Sequence, residues 1–361
     1  MLKNRYATWL ILIIGIFYLL IVGKSLLIPL VLAVFIWYLI NVLTDVFAKL
    51  PIGPQHSLPR PIAFVGALIS IAVLIYFIAN IITVNIAEVA AAAPAYQYNL
   101  EQMSRRFFAK LPLREPLSLH KIINNLDFGY MAGIFARELT NFFSKGTIVL
   151  IYLIFLFLEQ RSFGNKFLEL IRDPDRQHEI KMLVTRIDSD IRTYLGIKTV
   201  SSVITALFSY LIFSAIGLNF ASFWAFLVFL LNYIPTIGSI IATVFPSLLA
   251  LVQFESIGPF LVVALGVTSV QQLIGNFLEP RFLGNRLNLS PLVILISLAL
   301  WGKLWGIPGM LLCVPITAIV MIVFSHFPQT RSIAVALSRN GKIRAESHAE
   351  EKEMTKESLI E

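Results

Sequence analysis

In the stretch TSVQQLIGNFLEPRFLGNRLNLSP, Thr268, Gln272, Asn276 and Glu279 follow one another at intervals of four, four and three. On a helix that spacing gathers them on one face. Ahead of them lies an uncharged apolar run, and a polar row inside a lipid-soluble helix is costly unless it faces protein or a wet pathway. Gln272 and Asn276 could coordinate a polar solute or a cation without carrying charge. Glu279 could exchange a proton if held away from water. The plainer alternative is that Glu279 and Arg281 cap the helix at the membrane surface, while Gln272 and Asn276 bond neighbouring helices.

Two other places interrupt apolar sequence. The first is Asn232-Tyr-Ile-Pro-Thr-Ile-Gly-Ser239 and the second Trp301-Gly-Lys-Leu-Trp-Gly-Ile-Pro-Gly309. Proline lacks an N–H and bends a helix, and glycine admits turn geometry. At the first break Asn232 and Thr236 offer polar side chains, and the backbone around Pro235 and Gly238 must leave some groups unpaired. At the second, Gly306, Pro308 and Gly309 shape the turn. Lys303 is the basic residue there, placed to meet an anion or Glu279, or else to reach toward the membrane surface. Helix ends exposed at such tips carry partial charge suited to a polar or charged solute. Ser202, Thr205 and Ser209 also share one helix face, a pattern that ordinarily means close helix packing.

These segments need a membrane to sit in, and the composition supplies one. The chain has 361 residues, 57% hydrophobic and 14% charged, against roughly half and about a quarter in soluble domains. We expect an all-α polytopic membrane protein. Spans are expected at 7–23, 26–47, 61–86, 145–159, 198–218 and 259–278, each near the ~20 residues that a crossing requires. The first run follows Lys3 and Arg5 as a signal sequence would, but it lacks a small-residue cleavage site and a second run follows at once.

The broken segments, 220–252 and 290–326, are long for one crossing and short for two. Two re-entrant Pro/Gly hairpins beside about six full spans is the economical reading, with eight continuous spans as the alternative. Charge favours the hairpins. The linker 160–197 carries Arg161, Lys166, Arg172, Arg176, Lys181, Arg186 and Arg192, which places it in the cytoplasm. With a hairpin at 220–252, the uncharged Gln253–Gly258 falls outside, and Arg281 and Arg286 return inside. Both termini are cytoplasmic on either reading. A span followed by a hairpin occurs twice, at 198–252 and 259–326, as an inverted repeat. In transporters such paired breaks mark the substrate site.

The expected organisation is an N-terminal scaffold (1–86), an extracytoplasmic helical insertion (87–144), a fourth span with an amphipathic cytoplasmic linker (145–197), a transport core (198–326) and a charged tail (327–361). In the insertion Met131, Ile134, Phe135, Leu139, Phe142 and Phe143 recur at helical spacing. In the linker Leu183, Ile187, Ile191 and Tyr194 (or Leu195) form an apolar stripe, with Asp188, Asp190 and Arg192 as its solvated face. The tail from Ser338 reads as disordered.

Cys313 is the one cysteine, which excludes an intrachain disulfide and a cysteine-based metal cluster. No metal-ligating, nucleophilic or phosphate-binding motif occurs, so neither an enzyme nor a resident cofactor is expected. The formal charge of +8 fits loops facing cytoplasm and anionic lipid rather than nucleic acid.

The strings LNYIPTIGSIIATVFPSLLAL and FLEPRFLGNRLNLSPLVILISLALWGKLWGIPGMLLCVPI resemble the autoinducer-2 exporter family, the PerM-like permeases. Pro235, Gly238, Glu279, Pro280, Gly284, Pro291, Gly306, Gly309, Met310 and Pro315 stand at the signature positions. The chain departs from the family pattern at Trp301-Gly302-Lys303-Leu304-Trp305, which changes bulk and charge beside the second tip. The resemblance implies a bacterial inner-membrane carrier without an ATP-binding motif. Its substrate would be a small polar solute such as autoinducer-2, or a monovalent cation exchanged for protons, and the protein would be a homo-oligomer. A non-transporting membrane scaffold is the alternative from another class.

Overall fold

A computed structural model describes residues 2–51, 58–108, 146–171, 173–284 and 287–341. The described residues form helices and one isolated bridge, Leu289 to Ser338. In chain order the helices are α1 (Leu2–Val22), α2 (Lys24–Ala48), α3 (Arg60–Phe108), α4 (Gly146–Glu169) and α5 (Pro174–Ala215). Next come α6 (Ala221–Leu231), α7 (Ile237–Phe254) and α8 (Ile257–Leu273), then a π-helical turn at Ile274–Leu278. The last four are α9 (Glu279–Leu283), α10 (Pro291–Trp305), α11 (Ile307–His326) and α12 (Arg331–Leu337). Among the described residues six helical stretches are long and apolar enough to cross a membrane: Lys24–Ala48, Arg60–Ile81, Pro174–Ala215, Ile237–Phe254, Ile257–Leu283 and Ile307–His326. The chain is an all-α polytopic membrane protein.

Several helices run past the boundaries that hydropathy suggests. α3 continues through residue 87 to Phe108, and α5 joins the amphipathic linker to the span beyond 198 without a break. Polarity changes there, but a change of solvent does not end a helix whose backbone bonds are satisfied internally. Between α1 and α2 a single residue is non-helical. The Gly23 amide bonds to the Leu19 carbonyl, and the Leu27 amide to the Gly23 carbonyl. A helical hairpin needs about two to five loop residues, and here the helical hydrogen bonding passes through Gly23 with no such loop. The apolar face expected around Met131 to Phe143 and the tail beyond Gly341 lie outside the described residues.

The chain divides into two compact units, 1–39 with 149–196 and 283–361, and 40–148 with 197–282. In the first unit Ile28, Leu32, Ala33, Val149, Trp305 and Leu312 form the core. Asp190, expected on the solvated face of the linker, is instead 2% exposed and lies 3.9 Å from Arg186. The stripe it borders is buried at Ile191, Tyr194 and Leu195 and half-buried at Leu183 and Ile187. In the second unit the core runs through Phe213, Ala225, Val228, Ala242, Leu249, Val263 and Val267, joining α5, α6, α7 and α8.

Each unit holds one of the two broken segments, folded as a helical hairpin. α6 and α7 double back in the second unit: Gln253, near the end of α7, donates to the Gly217 carbonyl and accepts from the Asn219 amide, both at 2.8 Å, just before α6 begins. α10 and α11 double back in the first, and beyond α12 the chain returns to the start of α10, where the Ser290 amide donates to the Leu337 carbonyl and the Arg339 amide to the Asn288 carbonyl. Midway along this hairpin Ser297 meets Thr317 and the Cys313 carbonyl. The leading legs have 11 and 15 residues, about 16 and 22 Å at 1.5 Å per residue, short of a ~30 Å hydrocarbon core. The returning legs have 18 and 20 residues, and each carries an internal proline, Pro246 or Pro315.

Candidate functional site

The two tips are built alike. Thr236 and Gly306 cap the returning legs with positive φ, 61° and 66°, and each precedes an isoleucine. Gly238 and Gly309 come shortly after. A Cβ on Gly238 would overlap the Leu231 carbonyl oxygen, and one on Gly309 the Trp301 carbonyl oxygen. Each turn therefore needs its glycine for close approach of one backbone to another. The second tip is anchored by Trp305, whose indole Nε1 donates to the Leu20 carbonyl at 3.1 Å. Lys303 is exposed, and Pro308 is half-buried in the first turn of α11.

The first tip rests on α5 through side chains. Asn232 Nδ2 donates to Ser202 Oγ at 3.0 Å, and the Tyr233 hydroxyl donates to Thr199 Oγ1 at 2.8 Å. One turn below Ser202 stands Lys198, whose Nζ lies 2.7 Å from Glu279 Oε1, with side chains only 12% and 15% exposed. That distance is typical of a charge-assisted hydrogen bond. Pro235 is half-buried at the tip, and Thr236 is exposed.

α5 is polar on the inside here and apolar on the outside. Ser201, Ser202, Thr205 and Ser209 are buried at 3% exposure or less, whereas Val200, Val203, Leu207, Phe208 and Leu211 face outward. A soluble helix has the reverse arrangement. The outer face suits lipid, and the buried polar face reaches from the Lys198–Glu279 pair deeper into the second unit.

Glu279 reaches Lys198 because of the π turn. Its amide bonds to the Ile274 carbonyl, five residues back. The extra residue in that turn rotates the downstream side chains by about 100° relative to an unbroken α-helix. Glu279 is thereby removed from the row that spacing alone predicts. Thr268, Gln272 and Asn276 stay exposed on the outer side, where Asn276 Nδ2 donates to Gln272 Oε1. Arg281 is exposed. Lys198 is the residue that spacing did not single out. Its signal is position, four residues before Ser202 and at the entrance to an uncharged run.

Among the described residues no group of three or more His, Cys, Asp or Glu side chains could hold a metal. The site is one ion pair, a strained backbone tip and a row of hydroxyls, suited to binding and releasing a polar species.

The sequence profile described as AI-2E family transporter matches residues 8–329. A Haemophilus influenzae protein named "Putative transport protein" is 32% identical over 294 residues, 78% of this chain and 83% of its own. One of the same name from Borreliella burgdorferi is 35% identical over 250 residues, 67% and 69% of the two chains. The Escherichia coli AI-2 transport protein TqsA is 29% identical over 327 residues, 88% and 90%. With the profile covering nearly the whole chain, and relatives of matching length that carry transport names, the protein belongs to the AI-2E transporter family.

Proposed function

We propose that the protein is a secondary or facilitative transporter that exports a small polar solute of the autoinducer-2 kind by alternating access. The first hairpin tip serves as a gate. The observation that carries this is the tip's attachment to α5 beside the Lys198–Glu279 pair. Asn232, Tyr233, Ser202 and Thr199 hold the closed position through side-chain bonds, each worth about 1 kcal/mol net and replaceable by water or solute. Opening therefore costs little, and it would uncover a polar helix face. The autoinducer-2 assignment rests on the likeness to TqsA and on the family's name. A bacterial inner membrane, cytoplasmic termini and a homo-oligomeric assembly belong to the same proposal.

The test is efflux of autoinducer-2 from loaded proteoliposomes, comparing wild type with Glu279→Gln and Asn232→Leu. Efflux that the wild type supports and both variants alter bears the reading out. Efflux at an unchanged rate in both variants would sink the gate, and none from folded wild type would sink the solute.

One observation favours a second reading, sodium or lithium exchanged for protons. Glu279 is a sheltered carboxylate already holding a monovalent cationic group, Lys198, and an incoming cation would compete for the same oxygen. A sodium gradient should then drive proton movement in wild-type vesicles and not in Glu279→Gln.

A further inference from the structure

We infer that Ser209 and Trp224 form the hydrogen-bonding heart of a binding site for a small, uncharged, oxygen-bearing solute, closed between α5 and α6 in this conformation. The inference rests on the transport reading above and deepens it.

Membrane-helix serines and threonines ordinarily satisfy themselves by donating to the carbonyl four residues back. Thr205 does so to Ser201, Ser247 to Thr243, Thr243 to Ser239 and Ser70 to Gly66. Ser209 does not. It is fully buried, and among the described residues its Oγ has no partner. Among the described residues of this unit, the indole Nε1 of Trp224 is the other buried polar side-chain atom left in that state.

The two belong to antiparallel helices. Asn232 ties the end of α6 to Ser202, and α6 begins just after α5 ends. Counting from either end puts Trp224 at the level of Ser209 along the helix axes, to within about one turn. Trp224 packs on the cluster that contains Phe213, itself one turn from Ser209 on α5. Ser209 stands eleven residues beyond Lys198, about 16 Å along the helix, or roughly half the depth of a hydrocarbon core. That is the depth at which transporters hold their substrates.

The chemistry of the two groups defines the ligand. An indole N–H only donates, and a serine hydroxyl donates or accepts. Together they take a solute with a hydroxyl, ether or carbonyl oxygen and make no demand for charge. Thr205 and Ser202 continue the same face toward the tip, so release of Asn232 from Ser202 opens the way to the site.

The test uses single-cysteine variants of the full chain on a Cys313→Ala background, in proteoliposomes, with a charged, membrane-impermeant methanethiosulfonate as probe. Elution profile and thermal melting establish folding. Ser209→Cys and Thr205→Cys should label at least about tenfold faster than the outward-facing Phe208→Cys, since an apolar setting suppresses the reactive thiolate. Autoinducer-2 should slow the labelling of Thr205→Cys, which keeps both groups of the site, and with Trp224→Phe added that protection should need about tenfold more solute, the loss of one hydrogen bond. Equal labelling at 205, 208 and 209, with all three reactive after unfolding in detergent, overturns the inference and leaves the transport reading standing. Autoinducer-2 that is transported by the same vesicles yet gives no protection also overturns it. If autoinducer-2 is not transported at all, the solute reading fails, and the labelling contrast alone decides for or against the site.

Discussion

Lys198 and Glu279 stand 81 positions apart, and the ammonium of one lies 2.7 Å from the carboxylate of the other. The pair joins the start of the buried polar face of α5 to the residue just beyond the π turn. Its shelter decides what happens when it is broken.

Glu279→Gln leaves the lysine ammonium largely buried without its counter-charge. Removing one partner of such a pair costs about 2 to 3 kcal/mol, less than for a fully dry pair because some water reaches it. The unfolding midpoint in detergent should fall. Lys198→Met combined with Glu279→Gln should recover most of the loss, since no charge is then stranded. Transport should not recover with it if the pair is part of the gate. A single variant that melts with the wild type would show the pair to be solvated.

The glycines make a sharper contrast. Gly238→Ala and Gly309→Ala would each drive a methyl group into a backbone carbonyl, which cannot retreat as a flexible side chain can. Each should cost about 3 kcal/mol or more, or prevent folding. Gly15 meets nothing within 4 Å of an added Cβ, so Gly15→Ala should instead gain up to about 1 kcal/mol of helix propensity. Melting temperatures of the three variants decide the matter, and tolerance at 238 would mean that the tip is looser than its geometry.

Thr236 carries strain that Gly306 avoids. Its φ of 61° and ψ of −62°, with the Ile237 amide bonded to the Pro235 carbonyl at 2.6 Å, make a γ-turn of the rare positive-φ kind. A β-branched residue pays about 1 to 3 kcal/mol there. Thr236→Gly should therefore raise stability by about 1 kcal/mol after the extra chain entropy of glycine is deducted. If the strain helps the tip to leave α5, transport should slow in the same variant. Lower stability in Thr236→Gly would mean that the threonine makes compensating contacts.

The breaks themselves were legible in the sequence, because Asn232 to Ser239 and Trp301 to Gly309 put proline and glycine where lipid forbids loose backbone. Glu279 was legible as a rare carboxylate beside an apolar run. Its partner was not. α5 carries no helix breaker strong enough to mark where linker becomes span, so Lys198 reads as one more basic linker residue. The π turn was equally hidden, since Ile274 to Leu278 holds nothing that forces a fifth residue into the turn. Spacing therefore placed Glu279 with Gln272 and Asn276, and the turn carried it away. The hydroxyl row of α5 was visible, but its one unpartnered member could be recognised only once hydrogen bonds were assigned.

The base of the first hairpin should behave differently from its tip. Gln253 ties the turn through two backbone groups, the Gly217 carbonyl and the Asn219 amide. Gln253→Leu leaves both to find water, at a cost of about 2 kcal/mol for the two bonds. Hydrogen exchange at residues 216–221 should quicken, while transport by the protein that remains folded should change little, because a hinge keeps its base through the cycle. Tyr233→Phe removes a single side-chain bond at the tip, about 1 kcal/mol, and should change the transport rate more than the melting temperature. If Gln253→Leu alters transport as strongly as Tyr233→Phe does, the hairpin does not pivot on its base, and the gate must be sought elsewhere in the second unit.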